Sequence, residues 1–392
     1  MNRPDRAFRS ILIGGTNGKG SVAAMAECAL RAAGCRTGRY TSPHLAALEE
    51  RFALDGAPVA PAVLDEALER VRDAAAALDS PPTYFEATTA AAFEIFRRSG
   101  VEVAVLEVGL GGRLDATNVA DATAVAITTV DVDHTAQLGP RVEDIAREKA
   151  GIIRASVPVV LARNPEVVRA VVAARCASVG ARLVDAEADS RVDVTYAGGR
   201  ATLSMATPRA TYGAMCLGLR GRHQIDNAVA AVRLVEEFAV TAGLTVRPDA
   251  VRAGLEMVEW PARLEVGTWR GHDVLLDAAH NPGGARALAA FVLETYARPL
   301  PMVIAIMQDK AIDDMLEAFA AAASHVVATA PASPRAARPE DLAARLRALR
   351  PRLPVDVAAD PADALARAAS AGSPVVVAGS LYLAGEIRPL LS

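Results

Sequence analysis

Lysine is almost missing from this chain. Of its 42 basic residues only three are lysine, Lys19, Lys149 and Lys310, which leaves 39 arginines. A guanidinium does not give up its proton, whereas the lysine amine is a compact point charge that can react. A chain that uses arginine nearly everywhere keeps lysine where an amine is needed, and three positions stand out without any alignment. Chance survival on a surface is the alternative for each, and the weakest for Lys19, which sits in a glycine loop. Cysteine is scarce too. Cys28, Cys35, Cys176 and Cys216 form no CxxC pair and lie in apolar or alanine-rich contexts, as plain buried thiols in a reducing cytoplasm would. No apolar run approaches the roughly 20 residues of a membrane span. The first ten residues, MNRPDRAFRS, are polar and lack the apolar region of a signal peptide. A net charge of −4 argues against a nucleic-acid groove. These absences lead us to expect a cytoplasmic protein with no membrane and no nucleic-acid partner.

What is present is an ordinary globular balance over 392 residues, 52% hydrophobic and 22% charged, enough for about two to three domains and a sizeable core. The chain is organised around Ile11 to Ser21, ILIGGTNGKGS. Three apolar residues run into Gly14-Gly15-Thr16-Asn17-Gly18-Lys19-Gly20-Ser21, then an alanine-rich stretch from Val22 to Ala33 closes at Gly34. This predicts buried strand, glycine loop and helix. Backbone N–H groups in such a loop turn inward on a polyphosphate, the helix N-terminus adds partial positive charge, and Lys19 adds a whole one. The usual pattern GxxxxGK[ST] is not met in full. Ile13 stands where the first glycine belongs, and Gly20 follows the lysine with Ser21 one place late. A magnesium hydroxyl ligand must then come from elsewhere.

Arg39 to Leu45 crowds hydroxyls, Pro43 and His44 into a loop. Ser42 is a candidate for the missing hydroxyl, with an ordinary turn as the alternative. Helices are expected at 64–78 and 87–98, with 83–86 breaking the pattern. The apolar run 101–108 reads as a parallel strand covered on both faces, with Glu107 at its carboxyl end, where ligands of open α/β sheets bind and where a carboxylate can hold Mg²⁺. A second glycine-rich loop, 109–118, follows. The strand 122–130 ends in Asp131-Val132-Asp133-His134, so Glu107 and His134 together suggest a metal site. Lys149 lies among apolar neighbours, with an ion pair to Glu148 or another acid as its plainest role. A strand at 158–162 follows, then a hairpin, 192–196 with 201–205, that adds an antiparallel annex. Asn227, near the start of helix 228–238, could contact a nucleotide or cap the helix. A domain boundary falls near Trp260-Pro261-Ala262-Arg263. We therefore expect domains at 1–262 and 263–392. Strands at 273–276, 302–306, 325–329, 355–357 and 375–378 alternate with helices in the second. Its Asp277, His280 and Asn281 lie at a strand's carboxyl end, and two such strand ends imply a cleft between domains.

The ordered set GGTNGKGS, YTSPHL, EVGLGGRLDATN, DHTAQLG, EKAGII, HQIDNA, WPARLE, LDAAHNP and AGSLYL, from about Ile11 to the C-terminus, closely resembles the dihydrofolate synthase/folylpolyglutamate synthase family of the Mur ligase superfamily. The resemblance implies an α/β chain: a P-loop-type, mostly parallel sheet of the Mur ligase central type, then a smaller Rossmann-like domain. It implies ATP-dependent ligation of L-glutamate to dihydropteroate or a folate through an acyl phosphate, with one or two Mg²⁺ ions, in a monomer. It places phosphate contacts on Asn17, Gly18, Lys19, Gly20 and Ser21. Magnesium ligands fall on Ser42, Glu107 and His134, and a carbamate on Lys149. Further ATP contacts fall on Asn227, Arg263 and Asp277, pterin-acid contacts on Thr83, Tyr84, Phe85, Glu86 and Asp115, and the glutamate or acyl-phosphate end on His280. Lys310 matches a family pattern without a role. A muramyl-peptide ligase would need an additional N-terminal domain, and the loop begins about ten residues in. A non-ligating nucleotide hydrolase would not need Asp277 and His280.

Overall fold

The computed structural model of the chain describes residues 1–392. The run Ile11–Ile13 lies in strand β1 (Arg9–Gly14) and is wholly buried. Each such side chain contributes about 1.5–3 kcal/mol by leaving water. Beside it in chain order come β2 (Thr37–Tyr40), β3 (Phe52–Leu54), β4 (Ala57–Pro58), β5 (Val103–Glu107), β6 (Ala122–Ile127), β7 (Pro158–Leu161) and β8 (Arg182–Asp185). They form one sheet of order β4-β3-β2-β5-β1-β6-β7-β8, parallel except at the β2-β3-β4 edge. Ile13 stands opposite Glu107, Gly14 opposite Ile127, and Tyr40 opposite Leu106. The register therefore brings the glycine loop, Glu107, Thr128 and Thr41-Ser42 out along one carboxyl rim.

The helices are α1 (Lys19–Ala32), α2 (Pro61–Ala75), α3 (Tyr84–Arg98), α4 (Thr135–Leu138), α5 (Val142–Ala150), α6 (Glu166–Val179), α7 (His223–Ala242) and α8 (Pro248–Met257). The helix α8 packs on α1 so closely that a Cβ at Gly254 would lie 2.5 Å from the Ala29 backbone. Three antiparallel strands, β9 (Arg191–Ala197), β10 (Arg200–Ala206) and β11 (Thr211–Cys216), make a separate small sheet. Beneath it lies a buried ionic hub. Glu237 accepts hydrogen bonds from Arg182, Arg209 and Arg233, and Glu236 from Arg233, Thr207 and Tyr212. Burial pushes the Glu237 carboxyl up, but the bonds from Arg209 and Arg182 outweigh it and hold it below the usual range.

The remaining strands are β12 (Glu265–Trp269), β13 (His272–Leu276), β14 (Leu300–Ile304), β15 (Ala323–Ala328), β16 (Val355–Val357) and β17 (Val375–Ala378), in the order β12-β13-β17-β14-β15-β16. Only β12 runs antiparallel. Helices α9 (Pro282–Tyr296), α10 (Ile312–Ala322), α11 (Pro339–Leu349), α12 (Pro361–Ala371) and α13 (Leu381–Ile387) complete a Rossmann-like α/β unit. Two compact units result. The first comprises 1–195, 202–218 and 224–259, and the second 196–201, 219–223 and 260–392. Within the second, the Arg222 guanidinium lies 4.3 Å from the Tyr196 ring centroid and pairs with Glu294 at 2.6 Å, and Gly199 lies against Phe291. No helix is long and apolar enough to cross a membrane.

Several elements depart from the sequence expectation. The first helix begins at Lys19 rather than Val22. The stretch 83–86 does not break a helix but starts one. Thr83 and Glu86 form a reciprocal capping box, Thr83 N–H donating to Glu86 Oε2 at 2.7 Å. The strand expected at 122–130 stops at Ile127 because Thr128 and Thr129 turn to hold the glycine loop. The expectation omitted β2–β4, β8, β11, β12, α4, α6, α8 and α12.

Glu237→Ala should lower the unfolding free energy by about 3 kcal/mol, since it takes the shared acceptor from Arg182 and Arg209 and leaves the buried Arg233 with Glu236 alone. Urea unfolding followed by circular dichroism measures it, and an unmoved midpoint would contradict the hub's stated role.

Candidate active site

The glycine loop is held from three sides. The backbone N–H groups of Thr16 and Asn17 both donate to the Thr129 carbonyl, at 2.8 and 3.0 Å, and Thr16 Oγ1 donates to the Asp131 carbonyl at 3.0 Å. Gly15 has φ +149°, and a Cβ there would lie 1.8 Å from Thr128 Oγ1. Gly18 is left-handed at φ 88° and caps α1, and a Cβ on it would meet Asn227 Oδ1 at 2.4 Å. Neither position admits a side chain. Because α1 starts at Lys19, the N–H groups of its first turn have no intrahelical acceptors and point toward the loop with the positive end of a 14-residue helix behind them. Lys19 Nζ donates to the Thr16 carbonyl at 3.2 Å and stands 3.8 Å from Glu107 Oε1.

Glu107 ends β5 nearly buried, and its other oxygen accepts the Ser42 N–H at 3.2 Å. His134 lies seven residues beyond β6 rather than at its end. It is left-handed at φ 52° and precedes the single turn of α4. Its N–H donates to Asp133 Oδ1 at 2.8 Å. Mg²⁺ favours hard oxygen donors and is commonly held by one or two carboxylates plus substrate phosphates and water. The Glu107 carboxylate, with the Ser42 N–H on one oxygen, is a hard oxygen donor of that kind, whereas no cluster of three or more His, Cys, Asp or Glu side chains joins His134 to it.

Lys149 is the one buried lysine. Its Nζ donates to the Gly15 carbonyl at 2.7 Å, not to an acid, while Glu148 pairs with Arg113 at 3.1 Å. Burial, and then the charge of Lys19, push its amine down to about 7, with Asp133 and Asp115 acting the other way. Near neutral pH much of it is unprotonated. The second glycine loop packs on the end of α5, where a Cβ at Gly112 would lie 2.7 Å from the Glu148 carbonyl. Asp115 shapes this loop. Its carboxylate accepts from Gly109 N, Leu110 N and Thr117 N, each at 3.0 Å, and from Thr117 Oγ1 at 2.6 Å, which fills the usual acceptor positions of a carboxylate.

Thr83 and Glu86 spend their side chains on each other, while Phe85 lies 5.9 Å from the Tyr40 ring and against Gly109. Asn227 is inside α7, not at its cap. Its amide donates to Gln224 Oε1 at 2.8 Å, and Gln224 donates to Ser21 Oγ at 3.3 Å. The Ser21 hydroxyl is thereby turned into the protein, so only its backbone is placed to meet a phosphate. Gln224, wholly buried, is a residue that sequence reasoning missed.

In the second unit Asp277 accepts the N–H groups of Leu264 at 2.9 Å and Ala279 at 2.8 Å. Burial pushes its carboxyl up, against Arg263 and those two bonds. Its oxygens hold the turn that carries Arg263, where Ala262 and Leu264 are both left-handed, at φ 52° and 51°. His280 Nδ1 lies 2.9 Å from the Ala278 carbonyl, and Asn281 caps α9 by accepting Gly284 N–H at 2.9 Å. His223, also unforeseen, is pushed down to about 4 by burial and then by Arg263, so its ring is neutral. Lys310 follows β14, beside an Asp309–Arg335 ion pair of 3.0 Å.

Two family profiles match, the Mur ligase middle domain over residues 13–235 and the Mur ligase glutamate ligase domain over 262–381. The dihydrofolate synthase/folylpolyglutamate synthase of Mycobacterium tuberculosis is 37% identical, over 100% of this chain and 87% of that protein. The chain belongs to the dihydrofolate synthase/folylpolyglutamate synthase family of Mur ligases. The folylpolyglutamate synthase of Lacticaseibacillus casei is 34% identical, over 100% of this chain and 92% of that one. A structure of the M. tuberculosis folylpolyglutamate synthase complexed with ADP and AMPPCP superposes with a TM-score of 0.93 at 36% identity, over 99% of this chain and 92% of that one. E. coli FolC in complex with DHPP and ADP gives 0.88 at 28% identity, over 99% and 90%.

The lowered Lys149 amine in this family member carries a stability signature. Between about pH 7 and 10.5 the unfolded chain holds a proton on Lys149 that the folded one does not, so stability rises with pH through that window. In CO₂-free buffer, the melting temperature of the parent minus that of Lys149→Met should increase from pH 7 to pH 9. A flat difference would show the amine is not depressed.

Proposed function

We propose that the chain joins L-glutamate to the carboxylate of dihydropteroate or a reduced folate, with ATP converted to ADP and phosphate. The carrying observation is the Lys19 amine held between the Thr16 carbonyl and Glu107 at the mouth of a loop that opens onto a helix start. The γ-phosphoryl group passes to a carboxylate oxygen of the acid, giving an acyl phosphate and ADP. The glutamate amine attacks the acyl carbon, phosphate leaves, and the amide forms as the nitrogen releases its protons. No protein nucleophile is required, and such catalysis rests on positioning and charge neutralisation. With the Asn17 N–H taken by Thr129, we assign the N–H groups of Gly18 to Ser21 and the Lys19 amine to the phosphates, and Asn227 and, from the second unit, Arg263 as further nucleotide contacts. Asp277 acts by fixing the Arg263 turn.

Ser42, Glu107 and His134 would hold Mg²⁺, which supplies neutralisation of charge on the phosphoryl oxygens. Phe85 and the exposed Tyr84 offer ring faces to the pterin acid, while Thr83, Glu86 and Asp115 shape the backbone around it. His280 is the residue we assign to the glutamate or acyl-phosphate end. Lys149 is suited to carry a carbamate, because the neutral amine is the form that takes up CO₂ with loss of one proton. The product keeps one N–H for the Gly15 carbonyl and gains a negative charge beside Lys19. The relatives' names, and the ADP, AMPPCP and DHPP in their structures, support this reading.

Phosphate release with ATP, Mg²⁺ and glutamate should require either dihydropteroate or tetrahydrofolate, supplied in parallel. Release that ignores both acids would mark a plain nucleotide hydrolase. Lys149→Arg keeps the charge but cannot take up CO₂, and its kcat should fall about 10²-fold or more, the scale of losing one preorganised charge. Near-full activity in that variant would remove the carbamate.

A further inference from the structure

Arg51 is 8% exposed, yet no carboxylate pairs with it. The contrast with Arg233, also buried but paired with Glu236 and Glu237, is direct. A desolvated guanidinium is costly unless an anion meets it. The neighbouring acid is committed elsewhere, since the Glu50 carboxylate accepts the N–H groups of Leu45, Ala46 and Ala47 at 2.7, 3.2 and 3.1 Å. What surrounds Arg51 orients it without neutralising it. Its Nε donates to His44 Nδ1 at 2.9 Å, and its guanidinium lies 5.3 Å from the Tyr84 ring centroid. The Tyr40 hydroxyl beside it is shared with Thr88 at 2.8 Å. His44 and the Tyr40 hydroxyl, both neutral, and the Tyr84 ring are its partners, so the planar fork that matches a carboxylate is oriented while its charge stays uncompensated.

The position is as informative as the charge. Tyr40 pairs with Phe52, and one step on the Thr41 N–H donates to the Arg51 carbonyl at 3.1 Å. The next residue, Ser42, donates to Glu107. Arg51 thus stands on the same rim as Glu107, one strand away, and its ring partner Tyr84 belongs to the stretch assigned above to the pterin acid. Dihydropteroate has a single carboxylate, the one that reacts. A folate that already carries glutamate has another to spare.

We propose that Arg51, positioned by His44 and Tyr84, anchors the non-reacting α-carboxylate of a glutamate already attached to the acid substrate, and so sets how well the enzyme extends a folate relative to dihydropteroate. This rests on the ligase reading above.

The test compares KM and kcat for dihydropteroate and for tetrahydropteroylglutamate in the parent, Arg51→Gln and Arg51→Lys, each checked by its melting temperature. In Arg51→Gln the KM for the glutamate-bearing acid should rise about tenfold to a hundredfold more than that for dihydropteroate, the range of a lost charge-assisted pair. In that variant kcat should stay within about threefold. Arg51→Lys keeps a charge but not the fork, and should give a ratio between those of the parent and Arg51→Gln. That variant decides the matter should Arg51→Gln fail to fold. Equal losses on both acids, a rise in the KM for ATP, or a parent enzyme that uses dihydropteroate alone would overturn the proposal. A parent that turns over neither acid would instead refute the ligase reading beneath it.

Discussion

The carbonyl of Gly15 accepts the amine of Lys149, and much of the first unit depends on that meeting. Within the loop from Gly14 to Gly18, Thr16 is tied by its hydroxyl to Asp131, while the three glycines bring no side chain with which to hold a shape. Its path is dictated by Thr128 and Thr129 on one flank, Asn227 on another and Lys149 behind. These residues lie more than a hundred positions away in sequence. The anion-binding surface is therefore a product of the completed sheet and of α5 and α7, not of the loop's local preference. Burial first, and then the nearby Lys19 charge, make Lys149 give up its proton readily, while Lys19 keeps company with Glu107.

Both units use an acid beyond a strand's end in the same way, Asp115 in the loop after β5 and Asp277 directly after β13. Asp115 folds the loop after β5, and Asp277 folds the turn before β12. In each case the carboxylate oxygens are taken by backbone N–H groups, and other residues carry the chemistry outward. Glu107 differs. Its oxygens meet the Ser42 N–H and the Lys19 ammonium group rather than folding a loop of backbone N–H groups around themselves. The distinction separates acids that build a site from acids that serve in it.

Strands whose apolar run is unbroken, such as β1 and β5, were plain in the sequence, as was the glycine loop. So were the strand-end positions of Glu107 and Asp277 and the break near Trp260. The short edge strands β2 to β4 were not, because three or four residues show no period. The helices α6 and α8 were passed over although their alanine and arginine favour helix. At the site, residue types announced Lys19 and Lys149, but not what they touch. Glu148, adjacent in sequence, was the obvious partner for Lys149, yet side chains of successive helical residues point to different faces. Gln224 and His223 gave no signal, since an amide or imidazole at a helix start reads equally well as a cap. The capping box at Thr83 was legible as T-x-x-E, and its reading as a break mistook a helix start for an interruption.

The second unit is not one continuous stretch. It takes in 196–201 and 219–223, and that first segment lays Gly199 against Phe291 and Tyr196 under Arg222. The chain's order and the order of its folding units are thus interleaved. A gene splice at a single point near Trp260 would hand over a C-terminal piece that lacks part of its own packing, so recombination between relatives cannot trade these units as cassettes. Drift in the hairpin tip and in the body it joins is tied together across some sixty residues of intervening sequence.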